Sequence, residues 1–143
     1  MIREQSCGAL VFRYVNDKLC VLIVEQRAGH WGFPKGHTEK GETQQMTAIR
    51  EVKEETNIDI KIIDGFKRTN EYSPFFKAWK KVHYFIGIPK TFELIKQDEE
   101  INVVTWEPIV DAKLYRLSYD NDIKILDEAI NYITENNLFH LFK

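Results

Sequence analysis

Apolar residues dominate two early segments, SCGALVFRYV (residues 6–15) and LCVLIVEQ (19–26), with polar residues mainly at their margins. Continuous runs of this kind predict two strands, each buried on both faces and joined at the turn Asn16-Asp17-Lys18. Residues 58–66 (IDIKIIDGF) alternate in part and predict a third strand. Val82–Ile88, closed by Pro89, and Asn102–Trp106 predict two more. Two segments carry a helical period instead. One starts at Thr43, an N-cap after the turn-forming Lys40-Gly41, and stops at Asn57, which tolerates the left-handed conformation of a helix end. At about 100° per residue, Ala48, Val52, Thr56, Ile49 and Met46 share one side of it, predicted to be the buried one. The other segment, 120–134, places Ile123, Leu126, Ala129, Ile130 and Ile133 on one stripe and predicts a helix covering one face of a sheet.

Strands and helices mixed in this way give an α/β class. With 143 residues and no internal repeat or linker, the expectation is one domain, 1–143, around one core. A hydrophobic content of 43% against 29% charged is ordinary for a soluble globular protein. The net charge of -2 argues against anionic membranes and against a stable nucleic-acid complex as partners. MIREQSCGALVFRYV has no charged leader before a long apolar run, and no later stretch is long enough to span a bilayer. Cys7 and Cys20 stand alone in strand-like runs, as buried thiols of a reducing, cytoplasmic protein.

The candidate chemistry lies in residues 36–58, GHTEKGETQQMTAIREVKEETNI, which hold five glutamates. Glu51 to Glu54 is an i,i+3 step and Glu51 to Glu55 an i,i+4 step, so these carboxylates stand together, opposite the expected apolar side. Like charges at that spacing destabilise a helix by a few tenths of a kcal/mol per pair. A solvated acidic face is one explanation; a hard divalent cation among the carboxylates is the other. Mg²⁺ takes carboxylate oxygens and retains waters, leaving positions for substrate phosphate. Immediately upstream, Lys35 and His37 supply cations suited to that phosphate. Downstream, residues 67–81 (KRTNEYSPFFKAWKK) read either as a solubilising loop or as lysines for a polyphosphate, with Tyr72 or Trp79 as a stacking face.

Gly36, Glu42, Arg50-Glu51-Val52, Glu54-Glu55 and Ile58 together resemble the signature of the Nudix hydrolases, with Asn57 where that pattern has glycine. The resemblance implies an α/β/α sandwich with a mixed sheet between helices, and cleavage of a nucleoside diphosphate linked to another moiety using Mg²⁺ or Mn²⁺. It implies Glu51, Glu54 and Glu55 as metal ligands, joined by the Gly36 carbonyl, with Arg50 orienting a neighbouring carboxylate and Glu42 holding the loop to the helix. Glu54 lies at i,i+4 from Arg50 and is the expected partner. His30-Trp31, Phe33 to His37, Lys80 two residues before Val82, and Glu100 six before Trp106 are most similar to the asymmetrical diadenosine tetraphosphate hydrolases, the bis(5'-nucleosyl)-tetraphosphatases. That likeness implies substrate binding by His30, Lys35, His37 and Lys80, adenine contact by Tyr72 and Tyr119, and a metal-site role for Glu100. The implied reaction takes diadenosine tetraphosphate to ATP and AMP, with Glu54, Glu55 and Glu100 all open as the base. Alternatives are a Nudix pyrophosphohydrolase of RNA 5′ triphosphate ends or nucleoside triphosphates, and a non-catalytic nucleotide-binding module. Metal count and oligomeric state stay open.

Overall fold

The computed structural model describes residues 2–143. The chain forms β1 (Ile2–Val15), β2 (Lys18–Gln26), β3 (Trp31–Gly32), β4 (Lys35–His37), α1 (Gln44–Thr56), β5 (Ile60–Ile62), β6 (Arg68–Tyr72), β7 (Ala78–Pro89) and β8 (Ile101–Pro108). A helical turn, α2 (Ile109–Asp111), passes into a π-turn at Ala112–Arg116; α3 (Asp120–Glu135) and a 3-10 turn (Phe139–Phe142) complete it. β1 is the axis of a mixed sheet. It runs antiparallel to β2 through a two-residue hairpin whose Asn16 and Asp17 both have positive φ (50° and 65°), the twist that a tight β-turn requires. On its other side it runs parallel to β7, from Ile2 opposite Ala78 to Val11 opposite Gly87. β8 pairs with β2, while β5 and β6 pair with β7.

Alternation along β1 and β2 sets the layers, because successive side chains point to opposite faces. Leu10, Phe12, Val21 and Ile23 pack with Ile125, Leu126, Ala129 and Ile133 of α3. Ala9, Val11 and Leu22, from the same strands, pack with Val52 of α1. The sheet therefore lies between two helices, an α/β/α sandwich. At roughly 25 cal/mol per Å² of apolar area, this double-sided burial supplies the main driving force for folding.

Several boundaries differ from the pattern-based expectation. The strand expected over 58–66 covers only Ile60–Ile62, because Gly65 (φ 98°) turns the chain at Asp64-Gly65. Residues 67–81 form a hairpin with its turn at 73–77: β6 pairs with β7 from Arg68 opposite Tyr84 to Tyr72 opposite Lys80. Its cations hold partners that a one-dimensional reading misses, namely Arg68 with Glu128 (2.8 Å), Lys81 with Glu71 (3.1 Å) and Lys67 Nζ with Gln44 Oε1 (2.7 Å). The buried side of α1 is also turned from the one expected. Met46 and Ile49 are 51% and 38% exposed, whereas Thr47 and Glu55 are buried beside Ala48, Val52 and Thr56. The buried arc is rotated by about 80° on the helical wheel. The cause is β4, which packs on that flank: the Lys35 amide N–H donates to Glu55 Oε1 (3.2 Å).

Candidate active site

Local sequence builds α1 as expected. Thr43 Oγ1 accepts from the Met46 N–H (3.1 Å), and Asn57 closes the helix in the left-handed region (φ 73°), donating its N–H to the Lys53 carbonyl (2.9 Å). Arg50 is the hub of the loop–helix junction. Its Nε and Nη2 hold Glu42 (2.7 and 3.0 Å), Nη1 holds Glu51 (2.7 Å) and Glu54 (3.1 Å), and Nη2 also donates to the His37 carbonyl (2.9 Å). Glu54 is thus one partner of Arg50, but Glu42 is the bidentate one. Glu42 further accepts from the Glu39 N–H and the Thr47 hydroxyl, both at 2.9 Å, which ties the 38–43 loop down. The Arg50 fork, with the Glu39 N–H, holds the Glu42 carboxyl at about 2.

The three helix glutamates occupy different environments. Glu54 stands half-exposed at the rim, Glu51 is largely covered, and Glu55 is buried. Burial pushes the Glu55 carboxyl up to about 8, opposed by the Lys35 N–H and reinforced by the charge of Glu51. Burial likewise raises Glu51 against the pull of Arg50. A Cβ built on Gly36 would overlap the Glu51 carboxylate, so the glycine is what allows β4 to lie against it. Crowded carboxylates, one of them buried with only a backbone N–H for company, form a donor set suited to a hard cation. Among the described residues, no three His, Cys, Asp or Glu side chains form a ready cage. Mg²⁺ in general takes few carboxylates and keeps waters. Glu51, Glu54, Glu55 and the Gly36 carbonyl are the groups that could hold it.

Beside this cluster lies a cavity of about 480 Å³, into which Lys35, His30, Tyr72, Tyr84, Tyr119 and Asp122 face. Burial, then the nearby charge of Lys80, lowers the Lys35 ammonium below its ordinary range. Two lysines this close offer a seat for an anion. His30 and Tyr119 stack on each other, with centroids 5.6 Å apart and planes 19° apart, so an entering ring must use an outer face or part the pair. His37 is elsewhere: it is exposed and pairs with Glu4 (3.6 Å), contributing its carbonyl to Arg50. Glu100 is exposed in the turn just before β8, where its carbonyl accepts from the Arg27 N–H (2.8 Å); its side chain makes no hydrogen bond or ion pair among the described residues. The nearby acid whose charge does bear on Glu51 and Glu55 is Asp98, two residues before Glu100.

Asp122 was not among the residues suggested by the sequence, yet it is buried at the N-terminal end of α3. A signal existed: it shares the stripe of Ile125, Leu126, Ala129 and Ile133, where an acid is out of place. Burial raises its carboxyl from 3.8 to about 6, with Lys35 opposing. An acid raised in the folded state destabilises that state when ionised. The penalty is absent below about pH 4, grows as the pH rises to about 6, and is constant above. Asp122→Asn should therefore gain up to about 3 kcal/mol at pH 7.5 and nothing at pH 3.5, measured by urea unfolding at both. Equal changes at the two pH values would remove the ionised-acid explanation.

Comparison with known proteins bears on this geometry. A NUDIX domain model matches residues 5–128. The asymmetrical bis(5'-nucleosyl)-tetraphosphatase of Sus scrofa is 30% identical over 142 residues, covering 90% of this chain and 95% of that protein. A mutator protein of Mycobacterium tuberculosis, provisionally named MutT4, is 35% identical over 137 residues; the match takes in 90% of this chain but only 55% of that protein's length. Among solved structures, a binary complex of the C. elegans Ap4A hydrolase superposes with a TM-score of 0.82 at 24% identity, covering 92% of this chain and 98% of that one.

Proposed function

Because this chain belongs to the Nudix family, we propose that it hydrolyses a phosphoanhydride bond of dinucleoside polyphosphates, taking diadenosine tetraphosphate to ATP and AMP. The observation that carries this reading is continuity: the aromatic cavity opens at Lys35, one residue from Gly36 and in contact with Glu55. A nucleoside in the cavity would thus place its phosphates over the glutamates of α1. When bound there, Mg²⁺ or Mn²⁺ supplies charge neutralisation and Lewis acidity to the polyphosphate. The chain's own part is mostly positioning, as phosphoryl transfer asks little covalent chemistry of a protein. Lys35 and Lys80 hold phosphate oxygens. Arg50 fixes Glu51 and Glu54 in one orientation, and a carboxylate of the cluster accepts the proton of the attacking water. Two free, buried thiols suit a reducing cytoplasm.

Incubation with diadenosine tetraphosphate and Mg²⁺, followed by chromatography, should yield equimolar ATP and AMP, with turnover abolished by EDTA. ADP as the sole product, or no turnover, would end the assignment. Nucleoside triphosphates are the control substrate; their kcat/KM should fall well below that of the dinucleotide.

A further inference from the structure

We propose that Asp122 selects the nucleobase: its carboxylate accepts a hydrogen bond from the exocyclic 6-amino group of adenine and thereby rejects a purine carrying a 6-oxo group. The inference rests on reading the cavity as a nucleoside seat. Asp122 is 5% exposed, lines the cavity, and makes no side-chain hydrogen bond or ion pair among the described residues. Burying such a group without a partner costs free energy, so its oxygens are acceptors awaiting a donor. Its position is set, because its N–H donates to the Tyr119 carbonyl (3.1 Å) at the start of α3. Gly32 leaves the space: a Cβ there would stand 3.3 Å from Asp122 Oδ2. The neighbouring amides are engaged with each other, Asn121 Nδ2 donating to Asn70 Oδ1 (3.1 Å). Lys35, the nearest cation to bear on it, forms no ion pair with it.

The walls around this acceptor are aromatic, from Tyr72, Tyr84 and the His30–Tyr119 stack, so the donor it meets belongs to a flat ring. An adenine edge presents two N–H bonds at its 6-position. Hypoxanthine presents a carbonyl oxygen there, which would face the carboxylate acceptor to acceptor. An asparagine amide can turn either its oxygen or its NH₂ toward the ring and has no such preference.

AMP and IMP differ at the 6-substituent and at the adjacent N1, an acceptor in AMP and an N–H in IMP, and neither carries a phosphoanhydride to cleave, so equilibrium binding isolates contacts to this edge of the base. By titration calorimetry, AMP should bind the wild-type protein at least about tenfold more tightly than IMP. In Asp122→Asn the two affinities should come within about threefold of each other. A wild-type ratio already within threefold overturns the proposal, as does a variant that keeps the wild-type ratio. Loss of turnover with an unchanged ratio would assign Asp122 to holding Lys35 instead, and also overturns it. Should the variant fail to fold by circular dichroism, the wild-type ratio decides alone. Failure of the ATP-plus-AMP assignment would show in the product analysis and leave the AMP-to-IMP ratio untouched, so the two readings fail separately.

Discussion

Replacing Glu54 with glutamine should lower kcat by about 10²- to 10⁴-fold, the range for losing a positioned acid–base or metal-binding carboxylate. Stability should change by no more than about 0.5 kcal/mol, because the side chain is half-exposed. Its one partner is Arg50 Nη1, and Arg50 keeps Glu42, Glu51 and the His37 carbonyl without it. The charge of Glu54 also raises the neighbouring Glu51 carboxyl, so removing it relieves crowding. The combination is diagnostic, because an ordinary solvated glutamate would alter neither quantity. Steady-state kinetics at saturating Mg²⁺ beside urea unfolding test it. Activity within threefold of wild type would take Glu54 out of the site.

Arg50→Lys is expected to reduce kcat/KM by about 10²-fold although the charge is kept. Four acceptors share one planar fork, and a single ammonium cannot meet them in those directions. The glutamates would then lose their common orientation, and a misplacement of about 1 Å is enough for such a loss. A pH signature separates this from general damage. Glu42 is held at about 2 by Arg50, so its stabilising contribution is full above its ordinary value of 4.5 and is lost as the pH falls towards 2. The variant should lose midpoint stability at pH 7 and show a weaker acid transition between those values. If the difference between variant and wild type were the same at pH 2 and pH 7, the Glu42 link would not be its origin.

How much of this was legible in the sequence depends on the range of the contact. The ends of α1 were local matters, decided by Thr43 and Asn57, and both stand where propensity puts them. The strands of the first hairpin declared themselves through apolar runs, and α3 through its stripe. The rotation of α1 was not legible, since it comes from β4 docking on Glu55, a contact across 20 residues. β6 was hidden because its residues, RTNEY, are polar and mostly exposed and it pairs only along β7, where pattern carries little signal. For the site, the sequence named His30, Lys35, Tyr72 and Tyr119, and the fold brings them round one cavity with Lys80 beside it. It also named His37, which pairs with Glu4, and Glu100, which is exposed and makes no side-chain hydrogen bond or ion pair among the described residues. Asp122 escaped because the stripe was read through Ile123 and Ile130, whereas the buried side of α3 runs through Asp122, Ile125, Leu126, Ala129 and Ile133.

The wall formed by Tyr119 and Asp122 belongs to the start of α3, far along the chain from the glutamates of α1. On the reading proposed above, the glutamates for cleavage and the acid that chooses the base therefore sit on two different helices packed on the shared sheet. Such an arrangement is modular: transplanting residues 117–122 between relatives should exchange preference for the leaving moiety while the bond-breaking apparatus stays intact.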